Sequence, residues 1–193
     1  MRNQQLLFAP VSFTLDAGEA LQIEGGNGCG KSSLLRLLTG LSTPHEGNVL
    51  WHTKSIQSIR DEYVANLHYL GHTNGLKLGL SATENLILGN YLALATHIEV
   101  EHVLEQWQLN SFKHKFVNQL SAGQKRRVAL AKLSLSPKPL WILDEPLTAL
   151  DIQIQQIFFS ALESHLQQGG VAIISSHHAI SHPNIKALRI KPC

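Results

Sequence analysis

The sequence has no long apolar run. Its longest apolar stretches, such as Leu140 to Leu143, fall far short of the roughly 20 residues that a membrane-crossing helix needs. Any link to a membrane is therefore expected to come through a partner. Cysteine is nearly missing: Cys29 stands in a glycine-rich loop and Cys193 is the last residue. No disulfide framework follows from that pair, and a reducing compartment is the simpler reading. A strong charge of either sign is also lacking. The formal net charge is +2 and the pI about 8.6, too mild for a nucleic-acid binder, which shows a concentrated basic stripe. The balance suits a soluble protein with a local basic patch. Met1 to Gln5 lacks the apolar core of a signal peptide. Repeats and low-complexity segments are absent. What remains is 193 residues of ordinary apolar content, enough for one globular domain, or one domain of two lobes, with a sizeable core.

The pattern along the chain is strand and helix at both ends and helix in the middle. Phe8, Val11, Phe13 and Leu15 read as a short strand, its start weakened by Pro10, and Ala20 to Glu24 reads as a second with Leu21 and Ile23 on one face. Leu34, Leu35, Leu37, Leu38 and Leu41 recur at helical spacing. Asn48 to His52 predicts an edge strand and Leu67 to Gly71 a further strand. Ser81 to Glu84 is a capping box opening a helix towards Leu94. A second helix is expected over Ile98 to Leu109, with Val103, Leu104 and Trp107 as its stripe, and a third from Ser121. Leu140 to Leu143 and Val171 to Ser175 read as buried strands. Between them a helix carries Ile154, Ile157, Phe158, Ala161, Leu162 and Leu166 on one face and ends at Gly169-Gly170. Strand–helix units at both ends imply an α/β core with a parallel sheet, over 1–71 and 137–193, with residues 72–136 forming a helical lobe.

Gly25-Gly26-Asn27-Gly28-Cys29-Gly30-Lys31-Ser32 fits G-x-x-x-x-G-K-[ST] between a strand and a helix, the context that makes such a run a P-loop. Its glycines let backbone N–H groups turn inwards around phosphate oxygens, and the helix N-terminus adds partial positive charge. Lys31 is expected on the β- and γ-phosphates of ATP, Ser32 on Mg²⁺, and Ser33 beside them. Leu140 to Leu143 leads into Asp144 and Glu145, two carboxylates at a strand's C-terminal end, where ligands of open α/β sheets bind. Asp144 is expected to hold Mg²⁺, directly or through water, and Glu145 to polarise the attacking water as general base. Ser121 and Gln124 make another capping box in Leu120-Ser121-Ala122-Gly123-Gln124. There the helix N-terminus has ordered N–H groups and Gly123 leaves room for an anion. This is a second phosphate site in one chain, which a kinase or GTPase does not need. Cys29, at a helix N-terminus among P-loop N–H groups, is either a small residue chosen for fit or a thiol of lowered pKa, whose alkylation would block ATP binding.

Leu-Ser-Ala-Gly-Gln resembles the LSGGQ signature of the ABC ATPases, with Ala122 in place of the first glycine. The order P-loop, helical insert, signature, acidic strand end and a late histidine also matches, over nearly the whole chain. The resemblance implies a P-loop NTPase (RecA-like) α/β core with a parallel sheet, a small antiparallel β part and a helical ABC subdomain. It implies that His177, after Ser175-Ser176, contacts the γ-phosphate and the attacking water. Leu150-Asp151 would be the D-loop, which communicates across a dimer. Ser121, Ala122, Gly123 and Gln124 would meet the nucleotide of the opposite copy in an ATP-bound head-to-tail dimer.

Two departures narrow the resemblance. His72, in Leu70-Gly71-His72-Thr73, stands where most of the family carry a glutamine touching Mg²⁺ and the transmembrane partner. It is either a loop histidine or a group that accepts a hydrogen bond or ligates metal, with a charge that can vary near neutral pH. Only seven residues precede Phe8 and none is aromatic, so no adenine-stacking residue is assigned. The glutamine-to-histidine exchange, together with Tyr69 to His72, Asn118 to Ala131 and Leu140 to Pro146, is similar to the ATP-binding subunits of cytochrome c maturation systems, usually described as haem-exporter ATPases of bacteria. That likeness implies integral membrane partners and a place on the cytoplasmic face of the inner membrane. Nothing in the residues binds haem directly, since there is no Cys-x-x-Cys-His. His178 and His182 lie close in sequence, but without a Cys or carboxylate cluster they do not make a metal site. A soluble ABC ATPase of a cytosolic assembly system, such as iron–sulfur cluster formation, is the alternative. A translation-associated ABC protein is disfavoured, because those usually carry two ATPase units.

Overall fold

The structure, a computed structural model, describes residues 7–92, 100–177, 180 and 185–190. The chain divides into two compact units: Met1–His72, Pro139–Glu145 and His165–Cys193 form the first, and Thr73–Lys138 with Pro146–Ser164 the second. In chain order the first unit carries β1 (Ala20–Glu24), α1 (Lys31–Leu38), β2 (Leu50–Trp51), β3 (Lys54–Ser55), α2 (Arg60–Ala65) and β4 (Leu67–Leu70). The second carries α3 (Ala82–Leu92), α4 (Val100–Gln106) and α5 (Ala122–Ala131). The chain then returns for β5 (Leu140–Asp144). α6 (Ile152–Gln167) begins in the second unit and ends in the first, which β6 (Val171–Ser175) and β7 (Ile185–Arg189) complete. Pro146–Ser164 thus groups with the helical unit, where the sequence boundaries place it in the core.

The first unit is built on one five-stranded sheet in the order β4-β5-β6-β1-β7, every pairing parallel. A parallel sheet is covered on both faces, so its strands read as continuous apolar runs rather than alternations. All five residues of β5 are buried. In β1 the burial extends to Gln22, whose side-chain oxygen accepts from the Ile180 N–H at 2.8 Å. Leu21 and Ile23 join Leu34, Leu35 and Leu38 of α1, Ile142 and Ile173 in one cluster. The Tyr63 hydroxyl of α2 donates to the Leu38 carbonyl at 2.6 Å, and burial pushes this phenol's pKa up.

Three expectations are corrected. Residues 8–15 form no strand. Phe8, Val11, Phe13 and Leu15 instead pack, partly buried, on the core cluster, so the alternation of Val11, Phe13 and Leu15 records one-sided burial without a ladder. Leu41 is 52% exposed, because the helix stops at Leu38 with Thr39 as C-cap and Gly40 at φ 72° turns the chain away. Asn48 to His52 is not an edge of the main sheet. Leu50–Trp51 pairs with Lys54–Ser55 in a separate antiparallel hairpin, closed by His52 and Thr53 with positive φ as a type I′ turn requires. Finally, α2 and β7 are additions: one is six residues long and the other half-exposed, so neither leaves a periodic apolar signal.

In the second unit the capping boxes set the helix starts. Ser81 N–H donates to Glu84 Oε2 at 2.7 Å and Glu84 N–H to Ser81 Oγ at 3.2 Å. The Ser81 N–H bond, and a second bond from the Ser81 hydroxyl to the same oxygen at 2.7 Å, hold the Glu84 carboxyl below its ordinary pKa. α4 buries Val103 and Leu104, and Trp107 beyond it is buried with Nε1 donating to Ser134 Oγ at 2.9 Å. The expected ends at Leu94 and Ile98, and His178 and His182, lie outside the described residues.

Candidate active site

Because the strands are parallel, their C-terminal ends share one edge of the sheet. The register pairs Ile23 with Ser175, Asp144 with Ser175 and Leu70 with Leu143. The glycine-rich loop after β1, the two carboxylates ending β5, His177 after β6 and His72 after β4 all leave from that edge.

The loop Gly25 to Gly30 delivers the chain into α1 without a side-chain cap, and Gly30 stands as N-cap at φ 105°. A side chain there would be strained, and its Cβ would stand 2.6 Å from Phe8 Cδ1. The opening N–H groups of α1 thus meet the space in front of the helix, the geometry that accepts an anion. Cys29 is buried within the core cluster. Its sulfur would stand less than 3.0 Å from a Cβ on Gly25, so the thiol is a packing element beneath the loop.

Lys31 is buried at 7% exposure and closes over the loop. Its Nζ donates to Gly25 O at 2.8 Å and Gly26 O at 3.3 Å. The same Nζ lies 3.5 Å from His177 Nδ1 and 3.7 Å from Glu145 Oε1. His177 Nε2 is 3.2 Å from Glu145 Oε1. That carboxylate oxygen is buried and makes no well-directed hydrogen bond to either neighbour. Lys31 converges on one point with Glu145 and His177, both more than a hundred residues further along the chain.

Asp144 and Glu145 are organised by a residue that sequence reasoning assigned no role. Ser175, fully buried, donates its hydroxyl to Asp144 Oδ1 at 2.6 Å and accepts from the Glu145 N–H at 3.0 Å. One hydroxyl so uses both its donor and acceptor capacity. A serine at the end of a strand of buried apolar residues was the available signal. Ser32 is exposed and Ser33 half-buried at the start of α1. His72 is exposed one residue past Gly71, and no hydrogen bond or ion pair joins it to another site residue among those described. Neighbouring Tyr69 has its phenol pKa pushed up by burial foremost and then by the Asp144 charge.

The signature residues lie in the second unit. Ser121 N–H donates to Gln124 Oε1 at 2.9 Å and Gln124 N–H to Ser121 Oγ at 3.2 Å, the reciprocal capping box that the sequence predicts. Ala122 follows as the first residue of α5 and is exposed. The space beside Gly123 is already used within the chain: an added Cβ would meet the Ala149 carbonyl closer than 3.0 Å. Asp151 caps α6, its Oδ1 accepting from Ile154 N–H at 2.9 Å, and its Oδ2 pairs with Arg127 at 3.3 Å.

The sequence profile of the ABC transporter family matches residues 8–148. The chain belongs to the ABC transporter family. It is an ATP-hydrolysing, ATP-binding member, with the P-loop α/β fold of that family. It is 45% identical over 189 residues to the "Cytochrome c biogenesis ATP-binding export protein CcmA" of Escherichia coli K12, a match covering 98% of this chain and 90% of that protein. Among solved structures, a putative ABC transporter ATP-binding protein of Pyrococcus furiosus superposes with a TM-score of 0.82 at 20% identity, covering 97% of this chain and 92% of that one. A dimeric ATP-binding cassette bound to ADP and Pi superposes at 0.77 with 24% identity, over 89% and 80% of the two chains. At those identities the structures establish the shared ABC fold. No helix among the described residues is long and apolar enough to cross a membrane.

Proposed function

We propose that this chain couples ATP hydrolysis to an export complex of cytochrome c biogenesis, moving haem or releasing a haem chaperone. It would work from the cytoplasmic face of the bacterial inner membrane, bound to integral membrane subunits. The 45% identity to the cytochrome c biogenesis export ATPase, across 98% of the chain, favours this over a cytosolic assembly ATPase. The observation that carries the chemistry is the convergence of Lys31, Glu145 and His177.

In this reading Gly25 to Ser33 wraps the phosphates with backbone N–H groups, and Lys31 exchanges its loop carbonyls for the β- and γ-phosphates. Glu145 takes a proton from the attacking water at its carboxylate, and His177 orients that water and the γ-phosphate. Ser175 fixes the backbone from which Glu145 starts. Ser32 and Asp144 offer a hydroxyl and a carboxylate, an all-oxygen donor set suited to Mg²⁺, which prefers one or two protein ligands completed by water and phosphate. When bound, Mg²⁺ would neutralise phosphate charge. Ser121 to Gln124 would face the nucleotide of a second copy, as expected for a head-to-tail dimer. His72 would lie where the membrane subunits contact the site.

Glu145→Gln tests the chemistry. It should keep ATP binding and slow hydrolysis by roughly 10²-fold or more, and unchanged turnover would remove Glu145 from the role of base. A tagged chain drawn from detergent-solubilised membranes tests the setting. Integral membrane subunits in the eluate support the export complex, whereas soluble partners alone would move the chain to a cytosolic assembly.

A further inference from the structure

Arg126 is the one arginine buried to the level of the core among the described residues, at 6% exposure. It stands on α5, two residues past the signature. A guanidinium withdrawn from water is costly unless its N–H groups are matched. Here the match is specific. Nε donates to the Pro146 carbonyl at 3.3 Å, and Nη1 donates to Asn74 Oδ1 at 2.9 Å. Arginine only donates, so the Asn74 amide must turn its oxygen to the ring of N–H groups.

Both partners flank the chemistry. Pro146 directly follows Glu145, which holds φ 51° in the left-handed region, so the Pro146 carbonyl belongs to the Pro146–Leu147 peptide, the second after that residue. Asn74 is two residues past His72, in the loop that leaves β4. The same helix fastens the chain again further on. Gly123 receives the Ala149 carbonyl, and Arg127 pairs with Asp151 at 3.3 Å. Residues 146–151 are therefore seated along α5 at three places, in keeping with their grouping in the helical unit.

We infer that Arg126 is a positioning residue for hydrolysis. It joins the loop after His72 to the Pro146 carbonyl, next to Glu145, so that whatever engages that loop bears on the orientation of the base. The Glu145 backbone is held upstream by Ser175, through bonds from its N–H to the Ser175 carbonyl at 3.2 Å and hydroxyl at 3.0 Å. Arg126 holds the next residue, at the Pro146 carbonyl. A planar fork suits two acceptors in fixed directions, and a lysine ammonium does not replace it. This inference rests on the reading of Glu145 as base.

The test uses the full-length chain, with kcat and KM for ATP, equilibrium ATP binding and Tm measured for each variant. Arg126→Lys should lower kcat by roughly tenfold while KM and ATP affinity stay within about twofold of wild type. Asn74→Ala should lower kcat by about threefold, and the double variant should be no worse than Arg126→Lys alone. Asn74→Asp should restore wild-type kcat, because a carboxylate accepts from the same fork. Wild-type kcat in Arg126→Lys would overturn the inference. So would equal kcat in Asn74→Ala and Asn74→Asp, which decides the matter if Arg126→Lys does not fold. A kcat that falls only in step with Tm would reduce the arginine to a structural role and overturn it as well. Glu145→Gln separates the two ideas. Normal turnover there removes the base itself, while blocked turnover there with normal Arg126→Lys and Asn74→Ala removes only the arginine's part.

Discussion

Replacing Gly123 by alanine isolates a contact that sequence reasoning read differently. The glycine in the signature suggests space for an approaching phosphate. In the folded chain that space borders the Ala149 carbonyl, which a Cβ would meet closer than 3.0 Å. The neighbour is backbone and cannot swing aside as a side chain can. Ala149 already sits at φ 63°, and Asp151 two residues on is tied to Arg127 and to the start of α6. Forcing an extra methyl into packed structure costs about 1–3 kcal/mol. Against this, alanine is the better helix former by up to about 1 kcal/mol, less near a helix start. The contact should win, leaving a net loss of about 1–2 kcal/mol and a Tm lower by roughly 2–8 °C for a chain of this size. Thermal unfolding of the full chain without nucleotide, followed by circular dichroism, measures it. A Tm equal to or above wild type would show that Ala149 yields freely and would refute the close approach. One consequence concerns Gly123→Asp. Loss of hydrolysis in that variant would report damage to the chain's own fold as readily as repulsion of a partner's phosphate.

Three further outcomes are expected. Gln124→Glu keeps the capping box and suits the helix N-terminus, so Tm should hold while hydrolysis falls. Mixing that variant with Lys31→Ala should restore part of the activity, since one composite site in the mixed dimer is intact; full activity in Gln124→Glu alone would refute the composite site. His165 stacks on Trp141 with centroids 4.0 Å apart and faces the Val171 carbonyl at 3.2 Å, and burial, against that carbonyl's pull, lowers its pKa below 6.5. The unfolded chain then holds the proton more tightly, so this residue's contribution is full above pH 6.5 and is lost as the pH falls through the lower folded value; His165→Phe should flatten Tm against pH in that range, and an unchanged slope would count against it. Cys29, buried beneath the P-loop, should react with iodoacetamide far more slowly than the unfolded chain does, and rapid native labelling would contradict its burial.

The parts legible in the sequence were those in which chemistry and local geometry coincide. The P-loop names its own backbone, because Gly-Lys-Ser after an apolar strand has few other uses. The capping boxes at Ser81 and Ser121 formed as spaced, since each bond lies within four residues. Non-local geometry was harder to read. Val11, Phe13 and Leu15 alternate like a strand, yet their backbone pairs with no strand among the described residues, because period-2 burial and ladder bonding are separate properties of an extended chain. β7 is the reverse case, a strand at the sheet edge whose side chains are only half covered. The crowding of Gly123 by Ala149, and the reach of Arg126 to Asn74 and Pro146 across 52 and 20 residues, depend on how segments meet in space. No local pattern encodes them.

The two adjacent acids show why a strand end suits this site. Along β5 successive side chains alternate faces, so a continued strand would send the residues at 144 and 145 to opposite sides. Asp144 is the last residue in register, paired with Ser175, and its carboxylate is held by the Ser175 hydroxyl in the buried sheet edge. Glu145 leaves the ladder at φ 51°. A non-glycine residue held there costs on the order of 1–3 kcal/mol, and bonds from its N–H to Ser175 offset part of it. The turn breaks the alternation and brings Glu145 Oε1 to Lys31 and His177, while Asp144 stays beside Ser175. Neighbouring carboxylates thus acquire different surroundings, one fixed and hydrogen-bonded, the other half-buried beside two basic groups with one oxygen still open to a donor. A carboxylate oxygen with that spare acceptor capacity is free to receive a proton from water, as the proposed base must.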